Sequence, residues 1–277
     1  MSSRVHKDAG WRLFLRTVGG RAYPRVLYQR QISRILIDVG LPLIGLFAYV
    51  FVYRAIHAPE VFIGYVVLGG AMTAFWLNIL WGMAAQFFWE RQMGNLSLYI
   101  MAPTSMMAIL MGMALGGAVL AGVRAAVVIL IGMWMFHIHY AVAHLGLVVV
   151  IFGLLLAALY AMGMMLASLF LLFGREARHM IDLLQEPAYL LSGTYFPVRS
   201  LNFWVASAAS LIPLTLGLDA IRQLVTAQGT VLGFLTPGVE GAALFVLSVI
   251  FLIGARYSLR HMEHLAISEG KLTETRA

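Results

Sequence analysis

Five stretches of this chain are apolar for long enough to cross a bilayer as helices: 35–56, 61–88, 106–136, 145–173 and 238–257. A helix needs about 20 apolar residues to span the ~30 Å hydrocarbon core. Several of these stretches run longer, which predicts tilt or extension beyond the membrane. Residues 180–235 are less regular. The run 180–197 is apolar overall but holds Asp182, Glu186 and Pro187, and 201–225 is apolar but broken by Pro213. One of the two must cross, or both enter and return.

Basic residues decide between these arrangements. The N-terminal 34 residues, the loop with Arg91, the loop 174–179 and the tail from Arg256 hold 15 of the 19 Lys and Arg. Six spans place all four segments on the cytoplasmic side, as the positive-inside rule requires. The outer loops then keep only Arg54, Arg199 and Arg222. Seven spans would send Arg256, Arg260, Lys271 and Arg276 outward. The expected architecture is therefore an all-α membrane protein with six transmembrane helices. The fifth span is 180–197, and a non-crossing apolar hairpin follows it on the outer side before the last span. Residues 1–34 form a cytoplasmic or interfacial segment, 35–257 the membrane domain and 258–277 a cytoplasmic tail.

Within the first segment, 8–33 interleaves Trp, Leu, Phe and Tyr with regularly placed Arg. That pattern predicts a helix lying in the interface plane against anionic headgroups. Gly19, Gly20 and Pro24 are expected to divide it in two. A disordered basic flank is the bland alternative.

Composition agrees with the membrane reading. The 277 residues are 61% hydrophobic and 11% charged, against about 25% charged in an average soluble domain. The net charge of +7 invites a nucleic-acid partner, but eight basic residues precede position 35 and four follow 255. These are membrane flanks, so no nucleic acid is expected. With no cysteine, disulfides and thiolate metal sites are excluded. The first 34 residues lack the long apolar core of a cleavable signal peptide. No internal repeat suggests an inverted-repeat carrier.

The loop after the second span reads Phe88-Trp89-Glu90-Arg91-Gln92-Met93-Gly94-Asn95-Leu96-Ser97-Leu98-Tyr99-Ile100-Met101-Ala102-Pro103. A charged pair sits at the membrane exit, a Gly follows, and Pro103 ends a short apolar-faced helix. Such a helix suits docking in a groove on a cytoplasmic partner. An ordinary interfacial turn fits the same residues.

This loop resembles that of the type-2 permeases of ATP-binding-cassette (ABC) transporters, which reads roughly E-R-E-x-G-T-L-E with a Pro six residues on. Glu90, Arg91, Gly94, Leu96 and Pro103 keep the register, whereas Gln92, Asn95 and Ser97 depart from it. A second match is Ser192-Gly193-Thr194-Tyr195-Phe196-Pro197, followed by Pro213-Leu214 with Asp219, Ala220 and Arg222. The layout is similar over most of 25–260. The resemblance implies a permease subunit of an ATP-driven exporter in the bacterial cytoplasmic (inner) membrane, with both termini cytoplasmic. It implies an ATPase-coupling loop at Glu90, Arg91, Gly94, Leu96 and Pro103. It also implies an outer gate or hairpin at Ser192, Gly193, Phe196, Pro197, Pro213 and Arg222. Two P-loop ATPase subunits, a second copy of the chain and the lipid bilayer are the implied partners. This chain has only Lys7 and Lys271, and Gly270-Lys271-Leu272 is no P-loop. ATP and Mg therefore belong to the ATPase, the chain itself binds no cofactor, and it is not an enzyme.

Other residues invite sharper readings. Arg124 falls inside the third span, where a charge marks a functional or buried site. It is a candidate for the substrate pathway, for a structural pair with a carboxylate such as Glu186, or for snorkelling. Met111 and Met165 represent Met-rich spans that suit a tolerant apolar pathway, packing or lipid contact. Arg178, Asp182 and Glu186 recur every four residues on one helix face. They read as an interfacial ladder, or as a proton relay in a proton-coupled secondary transporter using Asp182, Glu186 and Arg124, which is the alternative function. His137, His139 and His144 cluster in one loop without Cys, Asp or Glu beside them, so no metal site is expected. No catalytic constellation favours a membrane-embedded enzyme. The expected cargo is a hydrophobic or amphiphilic molecule: a drug, a lipid or a lipid-linked glycan.

Overall fold

The computed structural model describes residues 2–28, 32–94, 105–142, 144–173, 177–226 and 229–269. Among these residues every regular element is helical. The helices are α1 (Ser2–Tyr28), α2 (Ile32–Ala55), α3 (Val61–Leu77), α4 (Gln86–Gln92), α5 (Met106–Phe136), α6 (Leu145–Phe173), α7 (Ala177–Leu191), α8 (Phe203–Ala209), α9 (Pro213–Val225), α10 (Gly229–Leu232) and α11 (Pro237–Glu269). A π-helical segment, Asn78–Ala84, joins α3 to α4, and a 3-10 turn, Val198–Ser200, precedes α8.

Four of these segments are long and apolar enough to cross a membrane: Val61–Glu90, Met106–Phe136, Leu145–Leu169 and Pro237–His261. Helices α8 and α9 pass the same test together but meet at 107°. The protein is thus a multi-pass helical membrane protein with four to five span candidates. In α2 the apolar run is shorter, Pro42–Ala55. The fifth expected span, 180–197, is helical only to Leu191. The 15 residues of α7 reach roughly 22 Å at 1.5 Å per residue, and the chain then turns at Ser192–Pro197. The last helix runs on to Glu269, past the expected boundary at 257.

The core is the span Val61–Glu90, 94% buried along its apolar window. It is wrapped by α2, α5, α6 and α9. The outer faces of α5, α6 and α11 show large apolar side chains such as Val123, Val149 and Phe245. Lipid solvates such faces, so they cost nothing in a bilayer.

The N-terminal helix corrects one expectation. It runs unbroken through Gly19, Gly20 and Pro24. A helical Gly costs about 1 kcal/mol relative to Ala, and Pro24 removes one hydrogen bond. Docking on α5 offsets these costs. A β-carbon on Gly112 would lie 2.7 Å from the Val18 carbonyl oxygen, and one on Gly116 would lie 2.9 Å from that of Ala22. Two small residues four apart let the helix backbones meet, as in membrane helix pairs.

Candidate functional site

The turn Ser192–Pro197 and the helix α9 behind it form a tightly constrained region. Gly193 adopts φ +69°, a left-handed conformation open to glycine at little cost. The turn lies flat against α3. A β-carbon on Gly69 would fall 1.6 Å from the Thr194 carbonyl oxygen. Only a glycine lets the two backbones approach so closely.

Arg222 of α9 holds this contact. It is fully buried. Its Nη1 donates to the Gly193 carbonyl at 2.5 Å and to that of Phe196 at 3.4 Å. Its Nη2 donates to the carbonyls of Tyr65 at 2.6 Å and Thr194 at 2.7 Å. The guanidinium lies 4.7 Å from the Tyr65 ring centroid, within cation–π range. One planar fork thus satisfies carbonyls from α3 and from the turn. Lysine, a point charge without that fork, is no substitute.

The turn is also tied to α2. Tyr53 donates to the Tyr195 carbonyl at 2.9 Å, and the Tyr49 and Tyr195 rings stack 3.8 Å apart. Ser192 and Thr194 hydroxyls share a hydrogen bond of 2.7 Å. From the loop after α5, Tyr140 donates to the Gly64 carbonyl at 3.0 Å, and the Ala141 amide donates to the Val225 carbonyl. Burial pushes the Tyr140 phenol well above its ordinary pKa, against the opposing pull of Arg222. It therefore stays a donor. Pro213 occupies the first turn of α9, where its missing N–H is no loss.

The other end of the Val61–Gln92 rod leads into the sequence-predicted coupling loop. Glu90 accepts from Gln86 Nε2 at 2.8 Å, one turn back on α4. Gly94 is exposed and turns the chain at φ +74°. Leu96, Pro103 and the side chain of Arg91 lie outside the described residues. Between the two ends sits the π-helical segment. Its signature is the Ala85 amide donating to the Leu80 carbonyl, five residues back. Such bulges favour functional sites. Here the bulge opens the Gly82 carbonyl to Arg25 of α1 and sets Asn78 Oδ1 to accept from Tyr160 of α6 at 3.1 Å.

The family model described as ABC-2 type transporter matches residues 24–226. That range runs from the end of α1 to the end of α9 and takes in the Arg222 clamp and residues 90–103. The chain belongs to the ABC-2 type transporter family. It is also similar to "Probable multidrug ABC transporter permease YbhR" of Escherichia coli, strains K12 and O157:H7. Each match is 28% identical over 137 residues, 49% of this chain. It spans 36% of the relative's own length.

In this ABC-2 chain the remaining predicted residues fall in separate places. Arg124 is half-buried and close enough to Arg25 and Tyr160 for its charge to reach both. Met111 lines a cavity of about 390 Å³ with Phe14, Met107, Leu252, Arg256 and Arg260. Met165 packs on Gly254 of the last helix. Asp182 and Glu186 are exposed on α7. His137, His139 and His144 are exposed too, and no metal-ligating group of three forms among the described residues.

Sequence reasoning picked out Arg222 and the turn but missed their receptors, Tyr65 and Gly69. The Gly69-Gly70 pair inside a span was the available signal, since glycine there marks close backbone approach. It also missed Gln223 and Glu240, which carry no local motif.

Proposed function

We propose that this chain is the permease subunit of an ATP-driven exporter. It moves a hydrophobic or amphiphilic molecule, such as a drug, a lipid or a lipid-linked glycan, out of the cytoplasm or inner leaflet. The carrying observation is the rod from Tyr65 to Glu90. One end is gripped by the Arg222 clamp and the other opens into the coupling loop. Those 25 positions span roughly 37 Å at 1.5 Å per residue. A push at the loop therefore reaches the hairpin through one buried element.

Six crossings give the rod its setting, with α2 and α7 as the two shorter ones and α8–α9 as the outer hairpin. Both termini are cytoplasmic in a bacterial inner membrane, as the basic residues favour. The basic α1 lies at the cytoplasmic interface. Two copies enclose the route, and two P-loop ATPases dock on the 90–103 loops and carry all the ATP and Mg. ATP drives the switch by binding the two states with different affinity. The multidrug description of the YbhR relatives supports an apolar cargo. So does the Met111 cavity, whose lining combines Arg256 and Arg260 with apolar side chains. That pairing suits an amphiphile with an anionic head.

The test is co-expression with the partner ATPase. E90A and G94A are expected to fold but to lose the ATPase on purification and to lose ATP-dependent uptake into inverted vesicles. Transport by the purified chain without an ATPase would overturn the reading.

A further inference from the structure

Behind the clamp, α9 meets the last helix through two buried acids. Asp219 is 1% exposed and Glu240 is 0% exposed. Gln223 bridges them. Its Nε2 lies 3.1 Å from Asp219 Oδ2, 3.2 Å from Glu240 Oε2 and 2.7 Å from the Leu235 carbonyl. Two amide hydrogens thus serve three acceptors. The Phe234 amide adds one more donor to Asp219 Oδ2, at 2.7 Å. A β-carbon on Gly233 would sit 2.2 Å from Gln223 Cδ, so the glycine makes room for the bridge.

The other two carboxyl oxygens, Asp219 Oδ1 and Glu240 Oε1, are buried and receive no donor. Both carboxyls lie against one amide nitrogen, Gln223 Nε2, close enough for their charges to repel. Ionised carboxylates only accept, and the Gln223 and Phe234 amides leave two of the four oxygens without a donor, so a proton on the pair supplies one. Two charged acids in one buried site do not coexist.

Among the described residues, Arg222 is the balancing charge that faces the pair. Arg222, three residues along α9, feels Asp219, but its Nη atoms are committed to the clamp carbonyls. The Tyr65 phenol of α3 also faces Asp219 and Arg222, while Tyr53 and Tyr140 face Arg222. The α6 face brings Leu155 against Gly217 and Ile151 near Gly241, both apolar. With one proton on the pair the two acids carry a single negative charge, which Arg222 neutralises. Without it, one negative charge is left over in an apolar site.

We propose that Asp219 and Glu240 form a proton-binding latch between the hairpin helix α9 and the last helix α11, closed by one proton held on the pair and opened when that proton leaves. The proton moves from water beside the hairpin onto the pair and back, with no other bond made or broken. The pair thereby makes the hairpin's attachment sensitive to the pH on its side of the membrane. This latch is independent of the cargo and of the ATPase.

Infrared spectroscopy and paired spin labels on the purified full chain in lipid nanodiscs test the proposal. The chain has no cysteine, so cysteines introduced at the exposed Leu211 and Val239 take labels cleanly. The wild-type background is expected to show a protonated-carboxyl stretching band at about pH 6 that is lost on alkaline titration, because that proton leaves. Over the same titration the single Leu211–Val239 label distance gains a second, longer population. D219N and E240Q each remove the band. E240Q, which leaves Asp219 as the only charge of the pair, keeps the single distance at every pH. D219N provides the second variant should E240Q fail to fold. The latch is overturned by a band that neither variant removes, by a label distance that ignores pH in the wild type, or by an unchanged pH response in both variants.

Discussion

The Thr194 carbonyl oxygen occupies the space beside Gly69 where any side chain would have to stand, 1.6 Å from the position of a β-carbon. This contact seats the Ser192–Pro197 turn on α3. It also sets the reach of Arg222, whose Nη2 joins Thr194 to Tyr65. The fit leaves no room to relax, because both partners are backbone. We expect Gly69→Ala to push the turn off α3 and to destabilise the fold by about 1–3 kcal/mol, the cost of an overpacked core. Thermal unfolding in detergent measures the loss, and transport should fall with it.

Arg222→Lys keeps the charge and loses the fork. A single ammonium cannot reach the carbonyls of Gly193, Thr194 and Tyr65 together. Each stranded carbonyl costs about 1–3 kcal/mol. The expected outcome is a lower unfolding temperature and faster amide exchange across 192–197, read by mass spectrometry. Equal stability of Arg222→Lys and the wild type would mean that the clamp is not what holds the turn.

Gly112→Leu should detach α1. The added side chain would meet the Val18 carbonyl and the Arg21 β-carbon, each 2.7 Å from its first atom. With α1 displaced, trypsin is expected to cut at the exposed Arg12 or Arg16 many times faster than in the wild type. The span Met106–Phe136 should stay intact, since its own helix does not depend on α1.

A thiol at Ser200 reports the topology. Ser200 is exposed and ends the 3-10 turn. With six crossings, Ser200→Cys in intact cells should react with a membrane-impermeant maleimide, while Arg260→Cys should react only after lysis. The reverse pattern at Ser200 would require the path through α7, α8 and α9 to be redrawn.

Hydropathy found Met106–Phe136 and Leu145–Leu169 almost to the residue, because lipid demands an unbroken apolar run whatever the neighbours do. Basic residues at the flanks were equally legible. The region 177–225 was not. Its helices α7, α8 and α9 are short, and their apolar residues do not sum to one clear crossing. The 107° bend between α8 and α9 comes from packing that no local window contains. The N-terminal helix misled for a related reason. Gly19, Gly20 and Pro24 are breakers by local propensity, yet docking on Gly112 and Gly116 outweighs them.

By itself the sequence determined that this is a multi-pass helical membrane protein, and its two local motifs pointed to the permease family. Both follow from composition and short-range spacing, which a bilayer reads residue by residue. Only the tertiary structure decided what the motif residues do. Arg222 became a clamp because Tyr65 stands 157 positions away in sequence and a hydrogen bond away in space. Asp219 and Glu240 were brought onto Gln223 in the same way. Buried polar groups must find donors and acceptors wherever the fold brings them, and that choice is made by packing across the chain.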